Sequence, residues 1–482
     1  MHNGYITTLK NVRPHPNADR LLLGECFGNT VCISKDYVEG EIGVYFPCDL
    51  QLSTEFAEKN NLLRKKDDAG NNIGGYMDPQ KRNVTAIRLR GEKSDGLFLP
   101  LSCLTYTGVN MDTLNVGDVI EGTVNGHEIC CKYIPRSNTR RGTVTEGNRT
   151  RKKKVPTAPL FAEHADTEQL AYNLGAFKPG DEIEITLKMH GTSQRTGYLP
   201  VFKGYKKNFW GRIMSCVKPK GAFAKKLLEK AERLATPIYD WGYVSGTRRV
   251  VLENYEGGFY GDNQFREQHS KVFEGKLNKG ETVYYEVVGF TSTGAPIMGD
   301  ANNKKLNDKE FIKQYGETTR FSYGCSPTGT TEIPMSETNL PYGAVVSVPQ
   351  SDIYVYRMTM TNEDGFVVEY TPDFMRYRCE QMGVKTVPVL WRGAIPEHPG
   401  SKNDPTITAG EWIKNVAELY YDGPDPVGKT HVREGVVVRI INRPKFCAYK
   451  HKNFSFKVLE GIIKDAAAAP DMEEAQEVSD DT

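Results

Sequence analysis

Lys188 stands where a lysine can act as a nucleophile. It follows the run EIEITL at 182–187, and the residues after it are MHGTS at 189–193. Gly191 breaks the preceding strand and allows backbone to approach a ligand closely. A lysine at such a strand end attacks an electrophile when burial or neighbouring cations lower its pKa. An isolated lysine before a turn is more often a solvated surface residue, so the rest of the chain must decide between these interpretations.

Four later segments place charged residues in or beside apolar strands. They are the pair Arg248 and Arg249 after VSGT, the strand VYYEVVG around Glu286, the run EGVVVR that begins at Glu434, and the spaced pair Lys450 and Lys452. The two lysines of the last pair project from one face of a strand. Charges embedded in apolar strands are costly unless they are paired or used. A structural salt bridge would explain any one of these charges, but it explains the whole set less well.

The strand before Lys188 is predicted from its alternation of apolar and polar residues, which has the period of a half-buried strand. Ile183, Ile185 and Leu187 would face a core, while the residues between them would face the opposite way. This alternation therefore puts Lys188 on the face away from the core.

The remaining elements divide the chain by composition. Residues 4–135 are predicted to be all-β, because short apolar runs are separated by turns rich in Gly, Asn, Asp and Pro. Longer strands and a few helices are predicted from 160 onward, with a helix at 221–234 and a long polar insertion or mobile loop at 294–339. We predict an α+β protein in four parts: a domain at 1–135, a basic linker at 136–159, a larger domain at 160–465, and an acidic disordered tail at 466–482.

Composition excludes several classes of protein. The formal net charge of +1 does not mark the whole chain as a nucleic-acid binder. No run approaches the ~18 apolar residues of a membrane-spanning helix, and the N-terminus lacks the apolar core of a signal peptide. The ten cysteines are scattered without a C-x-x-C pair, which favours free thiols over zinc. We therefore expect an intracellular, cytoplasmic protein that does not enter a membrane.

The N-terminal region carries two moderately specific motifs. RPHPNADRL at 13–21 resembles the opening of the tRNA-binding OB domains attached to some aminoacyl-tRNA synthetases, and RLRGEKSDGL at 88–97 resembles a later signature of that domain. The resemblance covers roughly the first hundred residues, and it implies an N-terminal β-barrel (OB-fold) that binds oligonucleotides on its face and loops. Alternatively, this region is a docking or folding module.

The charged segments resemble a known enzyme superfamily when they are taken in order. K-x-H-G at Lys188, the Glu286 strand, E-G-V-V-V-R from Glu434 and K-x-K at Lys450 resemble motifs I, III, IV and V of the covalent lysyl-nucleotidyltransferases. The form K-x-H-G-T-(S/N) is similar to that of ATP-dependent RNA ligases, whereas DNA ligases and capping enzymes more often have aspartate where His190 stands. The resemblance implies a ligase-type adenylyltransferase domain of antiparallel sheets flanked by helices.

This resemblance implies roles for particular residues. Lys188 would be the catalytic nucleophile that attacks the α-phosphorus of ATP, which forms lysyl-AMP and releases pyrophosphate. Glu434 would bind the metal, Mg²⁺ or Mn²⁺, because such ions prefer oxygen ligands. The other residues that the resemblance assigns to the ATP site are His190, Gly191, Arg248, Glu286, Tyr356, Lys450 and Lys452.

Three of these assignments stay open at the level of sequence. The sequence does not show which of Arg248 and Arg249 contacts a phosphate, and Arg248 is preferred. Glu286 would either bind the ribose of adenosine or help to position the metal. Tyr356, in IYVYRM at 353–358, is the candidate for the ring that stacks on adenine, but it could equally be a core tyrosine, because the spacing between motifs III and IV is long.

The placement of an OB domain before the ligase domain resembles a bacterial and phage group of RNA ligases. That group seals 3′-OH/5′-phosphate nicks in duplexes with RNA on the 3′-OH side, so the implied partner is RNA or an RNA-containing nicked duplex. A monomer is expected, although no feature of the sequence specifies the oligomeric state. The alternatives are a DNA ligase or mRNA guanylyltransferase of the same superfamily, which His190 disfavours, and a non-catalytic RNA-binding protein on a ligase fold, which the full set of charged residues disfavours.

Overall fold

The computed structural model describes residues 3–48, 50–66, 72–133, 157–165, 167–206, 236–252, 255, 260, 263–332, 345–400 and 406–465. The described chain is a mixed α+β structure with several antiparallel sheets and few helices. The predicted helix at 221–234, the predicted acidic tail and all but the last three residues of the predicted basic linker lie outside the described residues.

The N-terminal segment, residues 3–133, consists of short strands with one α-helix, α1 (Thr54–Lys59), and two 3₁₀ helices (Leu101–Thr107 and Met111–Thr113). Its strands are β1 (Gly4–Thr8), β2 (Lys10–Pro14), β3 (Leu21–Cys26), β4 (Asn29–Ser34), β5 (Ile42–Phe46), β6 (Leu50–Leu52), β7 (Lys65–Lys66), β8 (Asn72–Gly74), β9 (Ala86–Leu89), β10 (Glu92–Asp95), β11 (Leu97–Pro100), β12 (Val119–Ile120), β13 (Thr123–Val124), β14 (His127–Glu128) and β15 (Cys130–Lys132). Short strands dominate as predicted, but the segment is not all-β because it also contains these three helices.

The strands of this segment form one four-stranded sheet, in the order β11-β5-β1-β12, and one three-stranded sheet, in the order β2-β3-β4. The other described strands pair two by two. Within the described residues these sheets do not join into a closed ring, so the OB-type barrel stays a prediction.

The two N-terminal motifs meet in space. The ring of His15 is buried and its Nε2 lies 3.1 Å from the carbonyl oxygen of Leu89. Asn17 donates a side-chain hydrogen bond to the Arg90 carbonyl, and Arg90 returns one to the Asn17 carbonyl. The first motif therefore fixes the loop between β9 and β10, which carries the second motif.

Beyond the gap at 134–156, longer strands dominate. They are β16 (Glu168–Gln169), β17 (Glu182–Leu187), β18 (Thr192–Lys206), β19 (Thr236–Gly246), β20 (Glu281–Gly289), β21 (Ala301–Asn302), β22 (Thr318–Thr319), β23 (Thr330–Glu332), β24 (Val345–Ser347), β25 (Ser351–Thr361), β26 (Val367–Glu369), β27 (Val389–Ala394), β28 (Gly435–Ile440) and β29 (Ala448–Lys452). The described helices are α2 (Gln264–Lys271), α3 (Lys309–Tyr315), α4 (Pro372–Met382), α5 (Ala409–Glu418) and α6 (Phe454–Asp465), with 3₁₀ turns at Leu170–Tyr172, Leu174–Ala176 and Asn303–Leu306.

Two five-stranded sheets organise this region. The first has the order β16-β29-β28-β17-β27 and is antiparallel except for the β16–β29 pair, and the second is antiparallel with the order β19-β18-β20-β25-β26. As predicted from the alternation, Ile183, Ile185 and Leu187 are fully buried. The chain passes from the first sheet to the second through the turn after Lys188, so this turn lies where the two sheets approach each other.

The polar stretch at 294–339, which was predicted to be an insertion or mobile loop, contains regular structure in its described part. Over 294–332 it forms β21, a 3₁₀ turn, α3, β22 and β23. Phe311, Phe321 and Tyr323 are buried in a cluster that also contains Leu187. A few large apolar side chains are enough to anchor the stretch, because each removes considerable apolar area from water.

The N-terminal segment packs directly against the rest of the chain. Ala86 belongs to the same buried cluster as Leu187 and Phe456. At a second place, the ring of Tyr5 stacks on that of Tyr172 with 4.6 Å between centroids. The described parts before and after the gap at 134–156 therefore share buried apolar contacts.

Two predictions from composition can be compared with the described residues. The nine cysteines among them are all free thiols, as expected. In the same part of the chain, no helix is long and apolar enough to cross a membrane.

Candidate active site

Three strands of the first sheet bring charged residues to one end of it. Lys188 follows the end of β17, Glu434 precedes the start of the antiparallel β28, and Lys452 ends β29. Gly435 fixes this register, because its carbonyl accepts a hydrogen bond from the Lys188 amide at 3.0 Å and it lies opposite Lys452. Residues that are distant in sequence therefore meet at the same end of three neighbouring strands.

Glu434 is the centre of this cluster. Its Oε1 lies 2.7 Å from Lys188 Nζ and 3.5 Å from Lys452 Nζ, and its Oε2 lies 3.6 Å from His190 Nδ1. Its side chain is only 3 % exposed. Burial alone would raise the pKa of Glu434, but Lys188 and Lys452 outweigh it and lower the pKa to about 2. The carboxylate is therefore ionised at neutral pH.

One carboxylate oxygen of Glu434 can accept a further hydrogen bond or a metal ion. Oε2 is buried and accepts no hydrogen bond from the described residues. A buried carboxylate oxygen without a donor is costly unless a cation or another ligand reaches it. This oxygen fits a metal ligand, since carboxylate oxygens suit Mg²⁺.

His190 is held by aromatic side chains on both sides. Its ring meets those of Phe321 and Phe456 edge-on, at centroid distances of 4.6 and 4.7 Å, and its amide donates to the Tyr323 hydroxyl at 2.8 Å. Sequence reasoning missed Phe321 and Tyr323, because both lie in the stretch that was predicted to be a loop.

Gly191 serves the packing of the strands. A Cβ at this position would lie 2.3 Å from the carbonyl oxygen of Val287 and 3.0 Å from Cγ of Glu286. Any side chain would therefore force the Lys188 turn away from β20. The glycine keeps Lys188 and Glu286 on adjoining parts of one site.

A cleft with about 820 Å³ of empty space, its open side included, lies between the two sheets. Four of the predicted residues line it: Lys188, Arg248, Glu286 and Tyr356. The other five predicted residues do not line the cleft and lie behind or beside Lys188: His190, Gly191, Glu434, Lys450 and Lys452.

The two adjacent arginines are separated by the structure. Arg248 is half-buried and lines the cleft, whereas Arg249 is exposed. Arg248 also lies near enough to Lys450 to contribute to the low pKa of that lysine. Arg248 is thus the arginine that can reach a ligand beside Lys188.

Lys450 differs from an ordinary surface lysine. Burial, and then repulsion from Lys452 and Lys188, lowers the pKa of Lys450 to about 8. Four cationic side chains, those of Lys188, Arg248, Lys450 and Lys452, therefore lie close together, and two carboxylates, Glu434 and Glu460, are paired within this group. This excess of positive charge would attract a polyanion.

Tyr356 lies opposite this charged cluster. Its hydroxyl is 2.9 Å from Ser193 Oγ, and its ring centroid is 5.1 Å from that of His164, which also lines the cleft. Burial and then Arg248 hold the pKa of His164 well below its ordinary value, so this ring is neutral. The pair forms an aromatic wall that can take a flat ring system.

The cleft also contains a carboxylate that was not selected from the sequence. Glu184 is 3 % exposed and accepts two hydrogen bonds from Arg376, at 3.0 and 2.8 Å. Both residues line the cleft. The alternation of β17 placed Glu184 on the face of Lys188, but its partner is 192 residues away, and no local pattern could have identified it.

Metal binding by the protein alone is not supported by the described residues. Among them, no group of three or more His, Cys, Asp or Glu side chains is arranged to hold a metal ion. Mg²⁺ commonly uses only one or two carboxylates and completes its shell with water and substrate phosphates. Glu434 fits that mode, in which the metal arrives with a nucleotide.

Comparison with known proteins identifies the class of fold. No protein-family model and no curated protein matches the chain. Its structure is similar to that of an RNA ligase from Naegleria gruberi. The similarity holds for a mutant solved with ATP and Mn (TM-score 0.50, 94 % of this chain and 98 % of that one), for the protein with pyrophosphate (0.50, 95 % and 98 %), and for another mutant with AMP and Mn (0.51, 95 % and 98 %). Sequence identity is 16 % in each case.

At this identity the likeness is one of fold. It covers nearly the whole length of both chains, so it includes the N-terminal segment as well as the two five-stranded sheets. The described structure is therefore consistent with the expected ligase-type fold.

Proposed function

We propose that this chain is an ATP-dependent RNA ligase that joins 3′-OH and 5′-phosphate ends. The ion-pair cluster of Lys188, Glu434 and Lys452, set against a cleft lined by Arg248 and Tyr356, carries this proposal. The fold shared with the Naegleria RNA ligase supports it.

Lys188 is the proposed nucleophile of the first step. Its Nζ forms a bond to the α-phosphorus of ATP while the bond from that phosphorus to the pyrophosphate oxygen breaks. The nitrogen attacks after it has lost a proton and its ion pair with Glu434. Arg248, Lys450 and Lys452 hold the phosphate charge, which is greatest in the transition state.

The adenosine end of ATP has matching surfaces. Tyr356 and His164 supply an aromatic wall for the adenine ring, and Glu286 offers a carboxylate within the same cleft. Its proposed role is to accept a ribose hydroxyl or to help to position the metal. With the adenine ring bound at this wall, the α-phosphate of ATP would be free to reach Lys188.

A divalent metal belongs with this site. Glu434, whose Oε2 has no donor among the described residues, would hold Mg²⁺ or Mn²⁺. When bound, the ion neutralises phosphate charge. The similar RNA ligase was solved with ATP, AMP, pyrophosphate and Mn, which supports ATP and a divalent metal as cofactors.

The later steps use the lysyl-AMP adduct. AMP passes from Lys188 to a 5′-phosphate, and a 3′-OH then attacks that activated phosphate and releases AMP. The proposed substrate is a nick in a duplex with RNA on the 3′-OH side. In this proposal the OB-type domain at 1–135 and the basic linker at 136–159 meet the nucleic acid, because Lys and Arg side chains gain affinity from phosphates; the ligase domain occupies 160–465.

A ligation panel tests this substrate. Nicked duplexes with RNA or DNA on either side, and single-stranded RNA, are incubated with ATP, Mg²⁺ and either wild-type protein or Lys188→Ala. We expect joined product from the wild type where RNA supplies the 3′-OH, and none from the variant. Lys385→Ala, which changes an exposed lysine, is the matched control. Joining that survives in Lys188→Ala, or no joining of any RNA substrate by the wild type, would contradict the proposal.

A further inference from the structure

A buried ion pair links the N-terminal segment to α6, the helix that follows Lys450 and Lys452. Asp95, the last residue of β10, is 5 % exposed, and its Oδ2 lies 2.6 Å from Nζ of Lys457 in α6. Its other oxygen accepts a hydrogen bond from Cys48 Sγ at 3.1 Å. Both oxygens of this carboxylate are therefore engaged at the contact between the two parts of the chain.

The charge on Lys457 depends on this partner. Burial alone would lower the pKa of Lys457, but Asp95 outweighs it and raises the pKa above its ordinary value. Removing one member of a buried pair leaves the other charge uncompensated, which is strongly unfavourable. The position of α6 is thus coupled to Asp95.

The first turn of α6 is attached to the candidate active site. Asn453 donates its amide to the Glu434 carbonyl at 2.9 Å, and its side chain accepts the amide of Phe456 at 3.2 Å. Phe456 is the residue whose ring packs on His190. A movement of this turn would therefore displace both Glu434 and His190.

The next turn of α6 holds a lysine of the cluster. Glu460 lies three residues after Lys457, so the two are neighbours on the helix surface. Its Oε2 is 2.7 Å from Nζ of Lys452, which lies 3.5 Å from Glu434, and the side chains of Glu460 and Lys452 are each 11 % exposed. Ion pairs therefore join Asp95 to Lys457 and Glu460 to Lys452, Glu434 and Lys188, and helix α6 itself connects Lys457 to Glu460.

We propose that Asp95 is a positioning residue for the adenylylation of Lys188, an inference that rests on the proposed function. By fixing Lys457 it holds α6 where Glu460 keeps Lys452 beside Glu434. The N-terminal segment then acts in the step that uses ATP, in addition to any contact with nucleic acid.

A second ion pair provides the matched control. Arg88 of β9 lies 2.6 Å from Asp308, whose other oxygen caps α3 by accepting the Phe311 amide at 3.1 Å. This pair docks the same hairpin of the N-terminal segment onto α3, and Arg88 also lies 5.8 Å from the ring centroid of Phe454 in α6, so the control removes a second hairpin contact while leaving the Asp95–Lys457 pair in place. Asn at position 308 would still cap the helix, because Asn is as good a cap as Asp.

The test compares Asp95→Asn with Asp308→Asn in the full chain. Single-turnover transfer of label from α-³²P-ATP to the protein is followed at saturating ATP. Asp95→Asn is expected to slow labelling about tenfold, within the coupling found between neighbours in one network, and Asp308→Asn by less than about twofold. Equal rates for the two variants would overturn the positioning role while leaving the proposed function intact. Absence of label on the wild type would instead refute the proposed function.

Glu460→Gln shows whether the effect runs through Lys452. If it does, Asp95→Asn combined with Glu460→Gln labels no more slowly than the slower single variant, and multiplied losses would contradict the route. If Asp95→Asn folds poorly, Lys457→Met is combined with it, which removes the lysine charge that has lost its partner. That double variant is expected to unfold at the wild-type denaturant concentration yet to remain slow, and wild-type labelling by it would overturn the proposal.

Discussion

At the scale of the residue, the candidate site depends on a group of cations that includes the lysines paired with the buried carboxylate of Glu434. Glu434 remains ionised because Lys188 and Lys452 lie beside it, and Lys450 is nearby with a pKa lowered to about 8. A lysine with that pKa is largely charged at neutral pH and loses its charge just above it. Phosphate binding by Lys450 should therefore weaken as the pH rises through about 8.

Lys450→Arg tests this pH dependence. Arginine stays charged throughout this range, so the ratio of kcat/KM for ATP, wild type over variant, is expected to fall as pH rises from about 7 to 9. Lys385→Arg, at an exposed position, should give a flat ratio, and a flat ratio for Lys450→Arg would count against its role.

At the scale of the element, strand β17 is joined to helix α4 through a charge pair inside the cleft. Glu184 is almost fully buried and is held by two hydrogen bonds from Arg376. Arg376 also reaches Asp373, which is exposed and shared with Arg392. The two arginines thus offer a buried pair and an exposed pair within one network.

Arg376→Ala and Arg392→Ala should differ in stability. Arg376→Ala leaves the buried Glu184 without the two hydrogen bonds that it accepts, and the free energy of unfolding is expected to fall on the order of 2 kcal/mol. Arg392→Ala removes an exposed pair and is expected to cost about 0.5 kcal/mol. Denaturant unfolding of the two variants measures both values. Similar losses would mean that the buried Arg376–Glu184 pair stabilises the fold no more than the exposed Arg392–Asp373 pair.

Local patterns predicted the strands better than the contacts between them. The alternation at 182–187 gave the correct faces for β17, and the placement of Glu286, Glu434 and Lys450 in or next to apolar strands agrees with the structure. Periodicity reports which face a residue occupies, and it carries no information on which distant element covers that face. The partners Arg376 and Tyr323 were missed for this reason.

The prediction of an insertion or mobile loop at 294–339 did not include the regular structure of 294–332, for a related reason. Its Gly, Thr, Asn and Pro content is that of a loop, yet Phe311, Phe321 and Tyr323 are buried within 294–332. Three separated aromatic side chains leave no period in the sequence, although together they form the support for His190. Burial of such residues depends on the tertiary fold, which composition does not specify.

At the scale of the whole molecule, the N-terminal segment and the two five-stranded sheets share buried contacts. Ala86 lies in the cluster that contains Leu187 and Phe456, and Asp95 is paired with Lys457. The alternative of a docking module and the prediction of a nucleic-acid-binding domain are therefore compatible. Part of the second N-terminal motif faces the candidate active site, so the proposed contact with RNA would use the other surfaces of the segment.

The central claim is that Lys188 carries AMP, and covalent labelling tests it most directly. Wild-type protein is incubated with Mg²⁺ and either α-³²P-ATP, γ-³²P-ATP or α-³²P-GTP, and is then denatured. Label is expected to remain only from α-³²P-ATP, to be lost in Lys188→Ala and to persist in Lys385→Ala. Labelling by GTP instead of ATP would favour a guanylyltransferase. Retention of label in Lys188→Ala, or no label on the wild type from any nucleotide, would contradict the account.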